Sequence, residues 1–319
     1  MDQSLLAALA AGAAAVSDQT KTVAGGGDYT PPAEGACKLR LVGYIELGKH
    51  EKTFKGVKKL QDMVRLEFEV SGPKHPPIEV DGVKKPIIVS IEENLSLNEK
   101  ARFAKLFARM NYAGKYTHAS QMVLATEAFK ARIVHRKYAK SGEAKDDATK
   151  WTGVAVELYD KKTEAFTIEP PRIPERDAEG LETGNFTPMA VEPALTSPRL
   201  FIWNADDKHQ LAQWSTLFID GEYEERKDAS GKVTAPKKSK NVLQNRIKLA
   251  KNFQGSALQL ALLASGATID IPDAEAGRDD TPPGDDDDNP DGTASNAKAA
   301  APTGAAATAA LNDALAGVA

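Results

Sequence analysis

The run Val64, Arg65, Leu66, Glu67, Phe68, Glu69, Val70 alternates apolar and charged side chains without a break. A period of two belongs to a strand with one face on a core and the other turned away from it. An earlier stretch, from Lys38 to Leu47, alternates less strictly: Leu39, Leu41, Tyr44, Ile45 and Leu47 interleave with Lys38, Arg40 and Glu46. Together they predict a strand pair around which the rest of the chain is organised. Between them lies GKHEKTFKGVKKLQ, with five lysines, one histidine and the aromatic Phe54. This segment reads as a basic, mobile connection, poor in packing residues and suited to a polyanion whose flat bases can stack.

Further along, four prolines and two glycines in SGPKHPPIEVDGVKKP exclude a central strand. A third strand follows in PIIVSIEE, whose β-branched residues favour it. In LSLNEKARFAKLFARMNY, Ser96 and Glu99 have the spacing of a capping box, and Leu97, Ala101, Ala104, Leu106, Phe107 and Met110 form a helical stripe ending near Asn111. A fourth strand runs through EAFKARIVHRKY, with Phe129, Ala131 and Ile133 on one side. WTGVAVELY is the fifth. Three strands, a helix and two more strands is the order of an OB-fold, a small partly open barrel. Residues 163–198 carry Pro170, Pro171, Pro174, Pro188, Pro193 and Pro198 and read as an irregular connection. A short helix capped by Asn204 or Asp206 and ending near Trp214, a strand in LFIDGEY, and a helix from Ser239 follow. The last has Val242, Leu243, Ile247, Ala250 and Phe253 on one face and Lys240, Arg246, Lys248 and Lys251 on the other.

The predicted organisation is therefore mainly β with α. A flexible Ala/Gly-rich arm spans 1–36, an OB-fold-like barrel with one inserted helix 37–160, an α+β extension packing on it 161–265, and a disordered acidic then Ala-rich tail 266–319. Charge follows the same division. The net charge of −4 hides −3 on residues 1–36 and −9 on 268–319, which leaves +8 on the body between them. A basic body with an acidic tail suggests an anionic partner and an interaction arm.

The blocks GYIELGKHEKTFKG, VRLEFEV and LSLNEKARFAKLFARMNY, and then LFIWN, LFIDGEYEE and SKNVLQNRIKLAKNFQGS, resemble single-stranded DNA-binding proteins of tailed phages over residues 37–260. The resemblance implies an OB-fold core and binding of single-stranded DNA in replication and recombination. It also implies an acidic C-terminal tail for replication proteins such as polymerase, helicase or primase. In one respect the chain departs from the pattern: the acids are followed by Ala-rich sequence without a terminal aromatic residue.

Binding a single strand requires cations along the phosphates and π-faces for the bases. The candidate cations are Lys49, Lys52, Lys55, Lys58 and Lys59 in the basic connection, Arg40 and Arg65 on the strand pair, and Arg132, Arg136 and Lys137 on the fourth strand. The candidate stacking residues are Tyr44, Phe54, Tyr138 and Trp151. Asp285, Asp286, Asp287 and Asp288 are the candidate partner-binding run. No cofactor and no metal is expected: the five histidines lack metal-ligand spacing, and the single Cys37 allows neither an intrachain disulfide nor a cysteine zinc site. There is no Walker loop, GxSxG, HExxH or CxxC, so a non-enzymatic role is expected. The reducing chemistry fits a cytoplasmic location. Mean hydropathy is −0.40 and no apolar run reaches membrane-spanning length, so no membrane association is expected, and a homo-oligomer is compatible with everything above. Two competing classes are a virion scaffold that uses its Ala-rich termini for assembly and a nuclease or recombination accessory. The nuclease would use the carboxylate pairs Asp146-Asp147, Asp206-Asp207 or Glu92-Glu93.

Overall fold

The computed structural model describes residues 31–54, 57–80, 82–138, 149, 153–203, 207–227, 231, 233–235 and 237–272. The tail run Asp285 to Asp288, Lys55 and Trp151 lie outside them, as do most of the two expected flexible ends.

Both leading strands form, and both are longer than their apolar alternation: β1 is Gly35–Phe54 and β2 is Val57–Ser71. They pair antiparallel from Lys38 opposite Ser71 to Phe54 opposite Val57. The basic connection is therefore a correction. It is the outer half of a β-hairpin, paired as far as Phe54 opposite Val57. Charged residues on both faces hid this, because a strand without an apolar face leaves no period of two in hydropathy.

After a small hairpin of β3 (Ile78–Val80) and β4 (Val83–Lys85) come β5 (Ile87–Asn94), α1 (Arg102–Met110), α2 (Ala119–Leu124), β6 (Ala128–Tyr138) and β7 (Gly153–Glu157). The main sheet runs β5-β2-β1-β6-β7. No hydrogen-bonded pairing joins β5 to β7 among the described residues, so the sheet is not closed into a barrel. Leu39, Leu41 and Tyr44 of β1, Val64, Leu66, Phe68 and Val70 of β2, and Phe129, Ala131 and Ile133 of β6 share one core. Phe103, Leu106 and Met110 of α1 and Met122 and Val123 of α2 cover it. The capping box expected at Ser96 is not used. Leu97 is 82% exposed, and the helix begins at Arg102, where Phe103 can be buried. Ser96 and Asn98 instead accept backbone N–H bonds within the preceding turns.

Two bulges in β1, at Leu41/Gly43 and Glu46/Gly48, explain its imperfect alternation. Beyond the first, Ile45 and Leu47 turn to a second core. The C-terminal segment builds that core. β12 (Arg199–Phe201) adds parallel to β1, Gly43 facing Arg199 and Ile45 facing Phe201. Then α3 (Asp207–Thr216), α4 (Val242–Lys248) and α5 (Ala257–Ala264) bury Trp214, Leu243, Ile247, Leu258 and Leu262 against Ile45, Leu47 and Met63. The last helix escaped the sequence reading, although Ser256 accepts the Gln259 N–H as an N-cap ahead of Leu258 and Leu262. LFIDGEY supplies only a two-residue strand, Glu222–Tyr223, paired with Lys238–Ser239.

β8 (Tyr159–Asp160), just ahead of the Pro-rich connection, pairs with β9 (Ala165–Phe166) inside it, and β10 (Arg172–Arg176) then pairs with β11 (Glu182–Pro188) as an exposed hairpin. Residues 189–198 then cross the outer face of the main sheet as a strap. Glu69 accepts the N–H groups of Leu195 and Thr196 at 2.9 and 2.8 Å. Glu67, only 1% exposed, receives Arg199 from the strap's end and Arg65 Nε at 3.2 Å. The charged face of β2 points away from the first core, as the alternation requires, yet faces covering chain rather than solvent.

Candidate functional site

β1 and β2 run past both cores as a two-stranded arm. Strand geometry puts alternate residues on opposite sides, and directly opposed residues share a side. One side therefore carries Lys49, Glu51, Thr53, Lys58, Leu60 and Asp62; the other carries His50, Lys52, Lys59 and Gln61. On the first side charge is neutralised locally, with Lys49 Nζ 2.6 Å from Asp62 and Lys58 Nζ 2.8 Å from Glu51. On the second, Lys52 and Lys59 lie directly opposite each other; neither forms an ion pair with a described residue, although Lys52 is near enough to the largely buried Glu93 carboxylate to act on its charge. Like charges in that position destabilise a hairpin, so an anion placed there would relieve a cost already built into it.

At the root of this side His50 is 7% exposed and its Nε2 lies 3.0 Å from the Leu47 carbonyl. Burial, then the positive charge of Arg246, with smaller contributions from Lys52 and Lys251, push its imidazole down to about 4, against the weaker opposing pull of the Leu47 carbonyl. His50 is thus neutral in the folded chain at neutral pH. As pH falls from about 6.5 toward 4 the unfolded chain takes up a proton that the folded chain refuses. Stability conferred by the neutral ring is complete above that window and falls within it, by about 3 kcal/mol at its acid end. Urea midpoints between pH 7 and 4.5 should drop more steeply for the native sequence than for His50→Gln.

The remaining sequence candidates are distributed differently. Tyr44 is fully buried in the first core, and its hydroxyl donates to Glu46 Oε1 at 3.0 Å; it presents no face to a base. Glu46 also accepts the Trp203 N–H at 2.7 Å, and burial raises its pKa. Arg40 spends its guanidinium on the carbonyls of Thr126, Val191 and Glu192, pinning the strap. Arg65 lies buried between Glu67 and Glu92. These three are structural, because the faces they occupy are covered. On β6, Arg132 is paired with Asp160 and Arg136 with Glu157 at 2.5 Å, while Lys137 is exposed. The Tyr138 ring lies so close over Gly153 that a Cβ there would come within 2.5 Å of it. The backbone of Phe54 pairs with Val57, and its side chain lies outside the described atoms.

Of the carboxylate pairs, Glu92 bonds Arg65 and Glu93 bonds Arg102, so the two are directed to different guanidinium groups. Among the described residues no group of acids, histidines and cysteine is placed to hold a metal ion, and no helix is long and apolar enough to cross a membrane. The arrangement can attract and hold anions. No family model, curated protein or solved structure matches the chain.

Proposed function

We propose that the chain is a non-catalytic binding protein for single-stranded DNA, which it holds without sequence preference on the cationic side of the β1–β2 arm. The observation that carries this reading is the opposed Lys52 and Lys59, neither in an ion pair with a described residue and with only Glu93 acting on Lys52, beside a root that carries Arg246 and Lys251, while the other side of the same arm is neutralised by its own acids. The strand order supports it. β5-β2-β1-β6-β7 is the order of an OB-type sheet with one seam left open. In such sheets the connections between the first and second and between the fourth and fifth strands bind oligonucleotides. Here these are the arm and residues 139–152. The strand would be kept extended for replication enzymes, and the acidic run 285–288 would supply contacts for those partners.

Fluorescence anisotropy of a labelled oligo-dT with the full chain tests the reading. The expected result is binding that weakens steeply with salt, because each phosphate contact releases counterions. Lys52→Glu with Lys59→Glu should weaken binding at every sequence tried and lower the salt slope by roughly 1.4, about 0.7 for each contact on a single strand. No binding at low salt would overturn the proposal.

A further inference from the structure

The C-terminal segment lies against the root of the arm and continues its surface. Lys251 N–H donates to the Lys49 carbonyl at 2.7 Å, and Lys49 N–H donates to Asn252 Oδ1 at 2.7 Å. The exposed edge of β1 is thereby capped by residues 251–252. Behind them Leu243, Ile247, Ala250 and Phe253 are sunk into the second core, which fixes the orientation of α4 and the turn after it. Three cations project from this short stretch. Lys248 is half-buried and senses Asp270. Neither Arg246 nor Lys251 forms an ion pair with a described residue, and both act on His50 at the arm's root, as does Lys52 from the arm itself. Lys251 also senses Glu51, whose carboxylate is already held by Lys58.

We propose that Arg246 and Lys251 are phosphate-binding residues that extend the anion track from the arm onto the C-terminal segment. Two parts of the chain far apart in sequence thus build one binding surface. The inference rests on the reading of the arm as a strand-binding face and specifies how far the bound strand reaches. Arg246 offers a planar fork that suits two phosphate oxygens, and Lys251 a mobile point charge. A single phosphate and a continuous strand share this chemistry. Two anchoring points, one on the arm and one on the helix, favour the strand, because a chain of phosphates engages both at once.

The test compares the native chain, Arg246→Gln, Lys251→Gln and their double variant with Lys248→Gln, whose charge faces Asp270 instead. Oligo-dT anisotropy is read across a salt series, and inorganic phosphate is added as competitor at equal phosphate concentration. The double variant should bind several-fold more weakly at low salt, with a slope lower by roughly 1.4; Lys248→Gln should match the native chain. Inorganic phosphate should compete poorly. Competition as effective as that of unlabelled oligo-dT would overturn the continuous track in favour of an isolated phosphate site. Unchanged affinity and slope in the double variant, while Lys52→Glu with Lys59→Glu does weaken binding, would overturn this inference and leave the arm standing. Failure of the native chain to bind would remove both. Lys251 is exposed, so its variant alone keeps the test decisive if Arg246→Gln lowers stability.

Discussion

Gly48→Ala is expected to lower the stability of the folded chain by about 3 kcal/mol or more, read as a shift in the urea midpoint. Gly48 has φ +85°, a conformation that costs an L-residue about 1 kcal/mol. The larger part is steric. A Cβ at this position would stand 2.7 Å from the Ala250 Cβ, 2.8 Å from Asn252 Oδ1 and 2.9 Å from the Trp203 ring. None of these can retreat cheaply, since Ala250 is buried in the second core and Asn252 is bonded to Lys49. Gly114 is a control. Its φ is +64° but a Cβ there would meet nothing within 4 Å, so Gly114→Ala should show only the conformational cost. Equal losses in the two variants would mean that the segment after α4 does not press on β1 as described.

Glu67→Ala should be as damaging, by about 3–5 kcal/mol, because it leaves Arg65 and Arg199 without the buried carboxylate between them. The cost is that of stranding charge, not the net contribution of the ion pair. The double variant Glu67→Ala with Arg199→Ala should therefore lose less than the sum of the two single losses, as a thermal or urea double-mutant cycle would register. Additive losses would indicate that Glu67 and Arg199 act independently. Glu67 also sits beneath Gly43, where a Cβ would come within 2.7 Å of its carboxylate oxygen. The glycine lets the chain pass over the charge, and any larger residue there would displace it.

Much of the sheet was legible because its strands are half-buried. The alternation in Val64 to Val70 and in Phe129 to Ile133 correctly assigned the core side of β2 and β6, and the stripe around Leu106 marked α1. What alternation does not tell is what lies over the other face. Arg40, Arg65, Glu67 and Glu69 have the spacing of solvent-facing residues. Arg40, Glu67 and Glu69 are held by a strap far along the chain and by Arg199 at its end, which has no sequence signal of its own, while Arg65 is held within the sheet by Glu67 and Glu92. The arm escaped for the opposite reason. Its strands touch no core, so hydropathy could not distinguish them from a loop, although the charges that suggested anion binding were already visible. Arg246 was legible as part of the polar face of a helix; Lys251 was expected on that face too, but α4 ends at Lys248 and Lys251 lies in the turn that follows. Their place near His50 at the root of the arm depended on the packing of α4 against Leu47, which no local pattern records.

The bulged first strand has a consequence for how the chain comes apart. β1 donates Leu39 and Leu41 to one core and, a few residues on, Ile45 and Leu47 to the other, with no linker between them. Neither half can melt while leaving its neighbour's wall intact, so heat or urea should produce one cooperative transition where two cores would ordinarily allow two. Assembly has the reverse asymmetry. The first core closes with residues that emerge early, but the parallel pairing of Gly43 with Arg199 must wait for distant chain, and such long-range closures are slow. Until then Ile45, Leu47 and Met63 form an uncovered apolar strip on a nearly finished sheet, and a nascent chain halted before β12 would be the species most exposed to aggregation.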